Sequence, residues 1–150
     1  MTGSNDPSQI LRAWTRLVRV HRAIAGETES RLKGAHLPPL LWHDVLLEIE
    51  HAQDQQLRPR DIEARLQIAQ YNLSRMIEKM IAAGLVHRIA CEEDGRGYWI
   101  KLDAAGAKLR AAMWAVHAQV LADKMEPFLD GDSARKMAKQ LGKLLPHLNG

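Results

Sequence analysis

What this chain has little of narrows the field first. One cysteine, Cys91, among 150 residues excludes a framework of internal disulfides. The six prolines and ten glycines fall mostly at the ends of apolar periodic segments, so a mainly helical protein is expected. No apolar run approaches the roughly 20 residues that span a bilayer. The opening MTGSNDPSQI lacks the basic-then-apolar order of a secretion signal. No membrane partner and a cytoplasmic location are therefore expected. A glycine-rich phosphate loop, a nucleophile elbow and a paired-carboxylate motif are all missing, which argues against catalytic residues and against an enzyme. His36, His43 and His51 do not stand at i, i+4 spacing and no Cys/His cluster exists, so neither a metal nor another cofactor is expected. Charge of one sign is scarce too. The chain carries 21 basic and 18 acidic residues, net +3, and residues 58–101 hold eight Lys/Arg against six Asp/Glu. Non-specific DNA affinity comes mainly from phosphate neutralisation, so this balance permits a nucleic-acid partner without demanding one.

What is present is apolar periodicity. Hydrophobic residues make up 46% of the chain, enough for one domain with its own core. Asp6-Pro7 reads as a helix start, with an N-cap and proline at the first position. Ile10, Trp14, Leu17, His21 and Ile24 follow at spacings of three and four, predicting a long helix that ends near Gly34. Arg12, Arg16 and Arg19 form a basic stripe elsewhere on it, most simply a solvated face. Leu37-Pro38-Pro39 breaks the chain. A second helix, about 39–51, turns Leu41, Val45, Leu46 and Ile49 inward, and a polar connection with a short strand near Leu57 follows. Pro59 opens a short helix to Leu66. Gln67-Ile68-Ala69 is the turn, and a fourth helix covers about 70–83, with Gly84 as its left-handed terminator. Residues 85–91 and 97–102 read as two strands around the tip Glu93-Asp94-Gly95-Arg96-Gly97. Asp103 caps a helix running to about Met125. Asp132 caps a last one, about 133–145, which stops at Pro146.

The stretch 61–102 points to function. Its fourth helix buries Leu73, Met76, Ile77, Met80 and Ile81 and offers Gln70, Tyr71, Asn72, Ser74 and Arg75 on the other side, with Lys79 further along. Polar side chains at the N-terminal end of such a helix are what reading base edges in a major groove requires. The hairpin supplies Arg96 for a neighbouring minor groove, and its glycines let the backbone approach closely. This is the pattern of a winged helix-turn-helix that binds double-stranded DNA.

The helices at either end (7–34, 104–126 and 133–145) are long relative to the compact centre. Alone they would show apolar stripes to water, and such patches mark interfaces. Pairing them with a second copy solves this, and a two-fold dimer presents recognition helices roughly 34–36 Å apart. A homodimer on a palindromic operator is therefore expected. The cleft between these helices and the central core is where an effector, a small aromatic or phenolic ligand, is expected. Trp14, His21, Trp42 and His43 come from the elements lining it, although Trp14 and Trp42 also suit plain core.

Ile62-Glu63-Ala64-Arg65-Leu66, then Asn72-Leu73-Ser74-Arg75-Met76-Ile77-Glu78-Lys79-Met80, Gly84-Leu85-Val86-His87-Arg88, Asp94-Gly95-Arg96 and Lys101-Leu102-Asp103-Ala104-Ala105-Gly106 occur in an order and spacing that resemble the MarR family (multiple antibiotic resistance regulator). The resemblance extends over about residues 8–146. It implies a homodimeric transcription regulator, often a repressor relieved by a small molecule. It further implies Arg96 as the wing arginine, oriented by an Asp94 salt bridge, and Ser74 and Arg75 as DNA-facing. Asp103 stands where the family usually has threonine. Ile68-Ala69-Gln70 lacks the usual serine-like cap, leaving open which of Gln70, Tyr71 and Asn72 reads bases. Other readings are an effector-less or architectural DNA binder on the same surface, a winged helix that binds protein instead, and a redox- or metal-responsive regulator acting through Cys91 or the histidines. For Cys91 itself, a partly buried strand position is expected.

Overall fold

A computed structural model describes residues 6–91 and 97–145. Its helices are α1 (Pro7–Gly34), α2 (Leu40–His51), α3 (Pro59–Leu66), α4 (Gln70–Ala82), α5 (Ala104–Lys124) and α6 (Gly131–Leu144), with a 3-10 turn at Gln53–Gln55. The strands are β1 (Gln56–Leu57), β2 (Val86–Ala90) and β3 (Tyr98–Leu102). They form an antiparallel sheet in the order β1-β3-β2, with Leu57 opposite Ile100, Arg88 opposite Ile100 and Ala90 opposite Tyr98. The fold is mainly helical with a small sheet, as expected from the sequence.

The core lies where the winged-helix elements converge. Val45, Leu46 and Ile49 of α2, Ile62 of α3, Leu73, Ile77 and Met80 of α4, and Ile100 and Leu102 of β3 are all buried in one cluster. Each comes from the apolar phase of its own element, with period 3.6 in the helices and 2 in the strand. Burial of a full aliphatic side chain is worth about 1.5–3 kcal/mol, so this cluster holds the helix-turn-helix in shape. At its edge α5 packs on α2 and α1. Arg110 of α5 reaches Glu50 of α2; its Nε lies 2.5 Å from Oε2 but off-line, and Nη2 donates to Oε1 at 3.4 Å. Arg31 of α1 likewise bonds Asp123 of α5 at 2.9 Å.

Helix ends show where local chemistry decided the boundaries. The first N–H of α2, behind Pro39, donates to Glu29 of α1 at 2.8 Å, so a carboxylate from another helix does the capping. α4 ends in a Schellman motif: Gly84, at φ 73°, donates to the Ile81 carbonyl and Leu85 donates to that of Met80, the geometry expected of that glycine. His36 takes the equivalent left-handed place after α1, at φ 59°. Two expectations about capping need correction. α6 is capped by Asp130, whose side chain accepts from Ser133 N at 2.7 Å, not by Asp132. Asp103 does precede α5, but its carboxylate makes no cap bond; it meets His87 Nδ1 at 2.6 Å instead. The short strand expected near Leu57 is present as β1, and it joins the sheet as its third member.

Candidate nucleic-acid interface

α3 and α4 are joined by a turn that the sequence fixes in an unusual way. Gln67 is left-handed, at φ 55°, where glycine is the default. Its own amide compensates by donating to the Ala64 carbonyl at 2.7 Å, satisfying an acceptor that the end of α3 would otherwise leave open. α4 then begins at Gln70 behind Ala69, with no side-chain cap. The N–H groups of its first turn are left for water or for an anionic oxygen, and a helix N-terminus favours the latter.

The two faces of α4 separate cleanly. Leu73, Ile77 and Met80 are buried, while Gln70, Tyr71, Asn72, Ser74, Arg75 and Lys79 are exposed. Gln70, Tyr71 and Asn72 form the first turn, which answers where the helix starts. Tyr71 is 68% exposed, a large apolar area to leave in water without a partner. Arg75 Nη1 donates to its hydroxyl at 3.0 Å, and the guanidinium carbon sits 5.4 Å from the ring centroid. An arginine has five N–H donors, so this contact steadies the side chain and leaves a fork for a base edge or a phosphate.

Beside this face, a cleft of about 380 Å³ opens between the start of α3, the start of α4 and the foot of the hairpin. It is lined by Arg58, Pro59, Arg60, Glu63, Gln70, Gly97 and Tyr98. Arg58 and Arg60 escaped the reading of the sequence. The signal was there: two arginines flank Pro59 at the first position of a helix. Arg58 also donates to Cys91 Sγ at 3.1 Å and stacks 4.9 Å over Trp99. Cys91 is buried. Arg88 of β2 contacts Glu78 of α4 and lies 4.9 Å over the Tyr98 ring; the Glu78 hydrogen bond raises its pKa above the usual arginine value. Asp94 and Arg96, expected at the hairpin tip, lie outside the described residues.

The four residues expected around an effector occupy different surroundings. Trp14 is 62% exposed, beside Ile10 and Leu11 on the outer face of α1. Trp42 packs against the core. His21 lines a cleft of about 310 Å³ between α1, α2 and α5, together with Asp44, His117 and Leu121. His43 is buried at that same junction, stacked 5.9 Å from Trp114 and tilted against His117 at 6.0 Å. Its Nδ1 meets Asp44 at 3.1 Å and its buried Nε2 has no hydrogen-bond partner. Buried Thr28 meets His117 Nδ1 at 3.1 Å. Burial, and after it the neighbouring His43, hold His117 below the ordinary histidine value, against the opposite pull of Asp44. Sequence reasoning missed Thr28 and His117, since nothing in the spacing of α1 and α5 says that they meet. Among the described residues, no cluster of His, Cys, Asp and Glu suits a metal ion, and no helix is long and apolar enough to cross a membrane.

Three comparisons bear on this geometry. Residues 37–97 match the model of the MarR family. None of the curated proteins matches the chain significantly. Among solved structures, AbsC of Streptomyces coelicolor, a MarR family transcriptional regulator, is 23% identical with a TM-score of 0.79, covering 100% of this chain and 99% of its own. BldR of Sulfolobus solfataricus, a transcriptional regulator, is 18% identical with a TM-score of 0.82, covering 95% and 99%. A mutant MarR of E. coli, complexed with operator DNA, is 22% identical with a TM-score of 0.76, covering 95% and 100%. At these identities the likeness is one of fold.

Proposed function

We propose that this chain, a transcription regulator of the MarR family, is a homodimeric repressor that binds a palindromic double-stranded operator and is released by a small aromatic or phenolic effector. One observation carries the reading. The N-terminal half of α4 turns five exposed polar or aromatic side chains, Gln70, Tyr71, Asn72, Ser74 and Arg75, away from a packed inner face, with exposed Lys79 in the last turn. In the major groove, Arg75 reads a base edge, with Tyr71 holding its guanidinium. Arg58 and Arg60 lie beside the flanking phosphates, and Arg96, oriented by Asp94, enters the minor groove. The whole chain works as one unit, with α1, α5 and α6 pairing the two copies. Exposed Trp14, Trp114 and Leu141 on those helices support the pairing. The cleft beside His21 and His117, with the unpartnered nitrogen of His43 close by, supports an effector at the hinge between pairing helices and DNA-binding core. A ligand there releases DNA only by favouring the incompetent geometry.

The test is selection of bound fragments from genomic DNA by the purified protein, followed by titration of the selected site and a random duplex. An inverted repeat should emerge. Arg75→Ala should cost the selected site about 1–3 kcal/mol and the random duplex much less. Selection of no inverted repeat at moderate ionic strength would overturn the reading.

A further inference from the structure

The hairpin is gripped from two sides by arginines, and one of them reaches the recognition helix. On the core-facing side of the sheet, Arg88 and Tyr98 sit on neighbouring strands, with Arg88 opposite Ile100 and Tyr98 opposite Ala90. β2 is an edge strand, so Arg88 can extend past the sheet. It crosses the Tyr98 ring at 4.9 Å and bonds Glu78 on α4. Glu78 is one helical turn beyond Ser74 and Arg75, so it shares their exposed side. A carboxylate there would repel a phosphate backbone, and its contact with Arg88 neutralises it. On the opposite side, Arg58 stacks over Trp99 and donates to Cys91.

We propose that Arg88 is a positioning residue: through Glu78 and Tyr98 it fixes the angle between hairpin and recognition helix, so that both enter neighbouring grooves together. This rests on the DNA-binding reading above. No other described contact between charged groups joins α4 to the hairpin. The two strands meet α4 otherwise through the buried Val86 and Ile100, which anchor the foot of the hairpin, while further out Arg88 ties its α4-facing side to that helix. An exposed ion pair contributes little to stability, and that is the point. Loss of Arg88 should leave the fold intact and change only the tilt. A cation–π contact at an exposed site sustains about a 2- to 5-fold change in affinity.

The experiment uses the full-length protein with Arg88→Met, Glu78→Gln and the exchange Glu78→Arg/Arg88→Glu. Amide hydrogen exchange in the free protein reads the brace without any DNA. Arg88→Met should speed exchange over 86–90 and 98–102, leave 104–124 unchanged and keep the melting temperature. The exchange variant should restore protection. On the selected operator, Arg88→Met should lose about 2- to 5-fold in affinity. Its hydroxyl-radical footprint should weaken at the flanks, where the hairpins sit, and persist in the central major grooves. Unchanged amide exchange in Arg88→Met overturns the brace, whatever the DNA results. Faster exchange with an equal loss on cognate and random duplex, and a salt slope smaller by about one, makes Arg88 a phosphate contact and also overturns it. If the wild type selects no operator, the DNA-binding reading fails while the amide exchange still decides whether the brace exists.

Discussion

His117 shows how one side chain ties pH to stability at the junction of α1, α2 and α5. Burial and His43 depress its pKa below the ordinary 6.5, and Asp44 only partly offsets them. The unfolded chain therefore takes up the proton more readily than the folded one. Stability present at neutral pH is lost as pH falls through the unfolded value toward the lower folded value. The melting temperature should fall between about pH 7.5 and about pH 5.5, and His117→Gln should flatten that fall. Identical slopes in variant and wild type would assign the effect elsewhere. At this scale the sequence was legible only where a residue's role is set by its own element. Gln70, Tyr71 and Arg75 could be placed on an outer face because helical periodicity fixes it. His117 could not, since its environment is made by α1 and α2, nearly ninety residues and about seventy residues away. His43 was legible as a member of α2, but not as a residue stacked on Trp114 with His117 tilted beside it.

Elements were easier to read than the contacts between them. α1 to α5 stand close to where periodicity, prolines and Gly84 put them, because those signals act within a few residues. β1 is two residues long, too short for a period-2 pattern, and exists only because β3 offers it an edge. Asp130 and Asp132 both satisfy the chemistry of a cap, so only the backbone path chooses between them. The docking of α5 on the sheet is a further case. Gly106 lies against the Leu85 carbonyl, and a Cβ there would meet Leu102 Cδ1 at 2.8 Å. The Leu85 carbonyl already accepts from Asp103 N at 2.9 Å and cannot retreat without losing that bond. Gly106→Ala should therefore push α5 off the hairpin and cost about 1–3 kcal/mol. Urea denaturation reads this as a lower midpoint at unchanged slope; an unshifted midpoint would mean that the helix can slide at no cost.

At the scale of the whole molecule, the apolar residues left outside are concentrated on three helices. Ile10, Leu11, Trp14, Leu17 and Val20 of α1, Trp114 of α5, and Met137, Leu141 and Leu144 of α6 are all exposed. The periodicity of α1 that the sequence displays is thus real, but in its first half the single chain gives that stripe nothing to pack on. In the homodimer proposed above, a second copy related by a two-fold axis would supply the matching stripes. If that dimer forms, Leu141→Arg should convert it into a monomer in sedimentation equilibrium, with a loss of helical circular dichroism. Wild-type protein sedimenting as a monomer at the concentrations that saturate the operator would remove the two-fold scheme. α6 carries a further consequence. Its 14 residues are near the minimum at which a lone helix survives in water, and Gly142 is the one position in it that is covered. Such a segment holds its shape only in company, so dilution ought to unravel it and expose a ready foothold for proteases. Scarcity of the regulator would then hasten its own removal, and abundance would protect it.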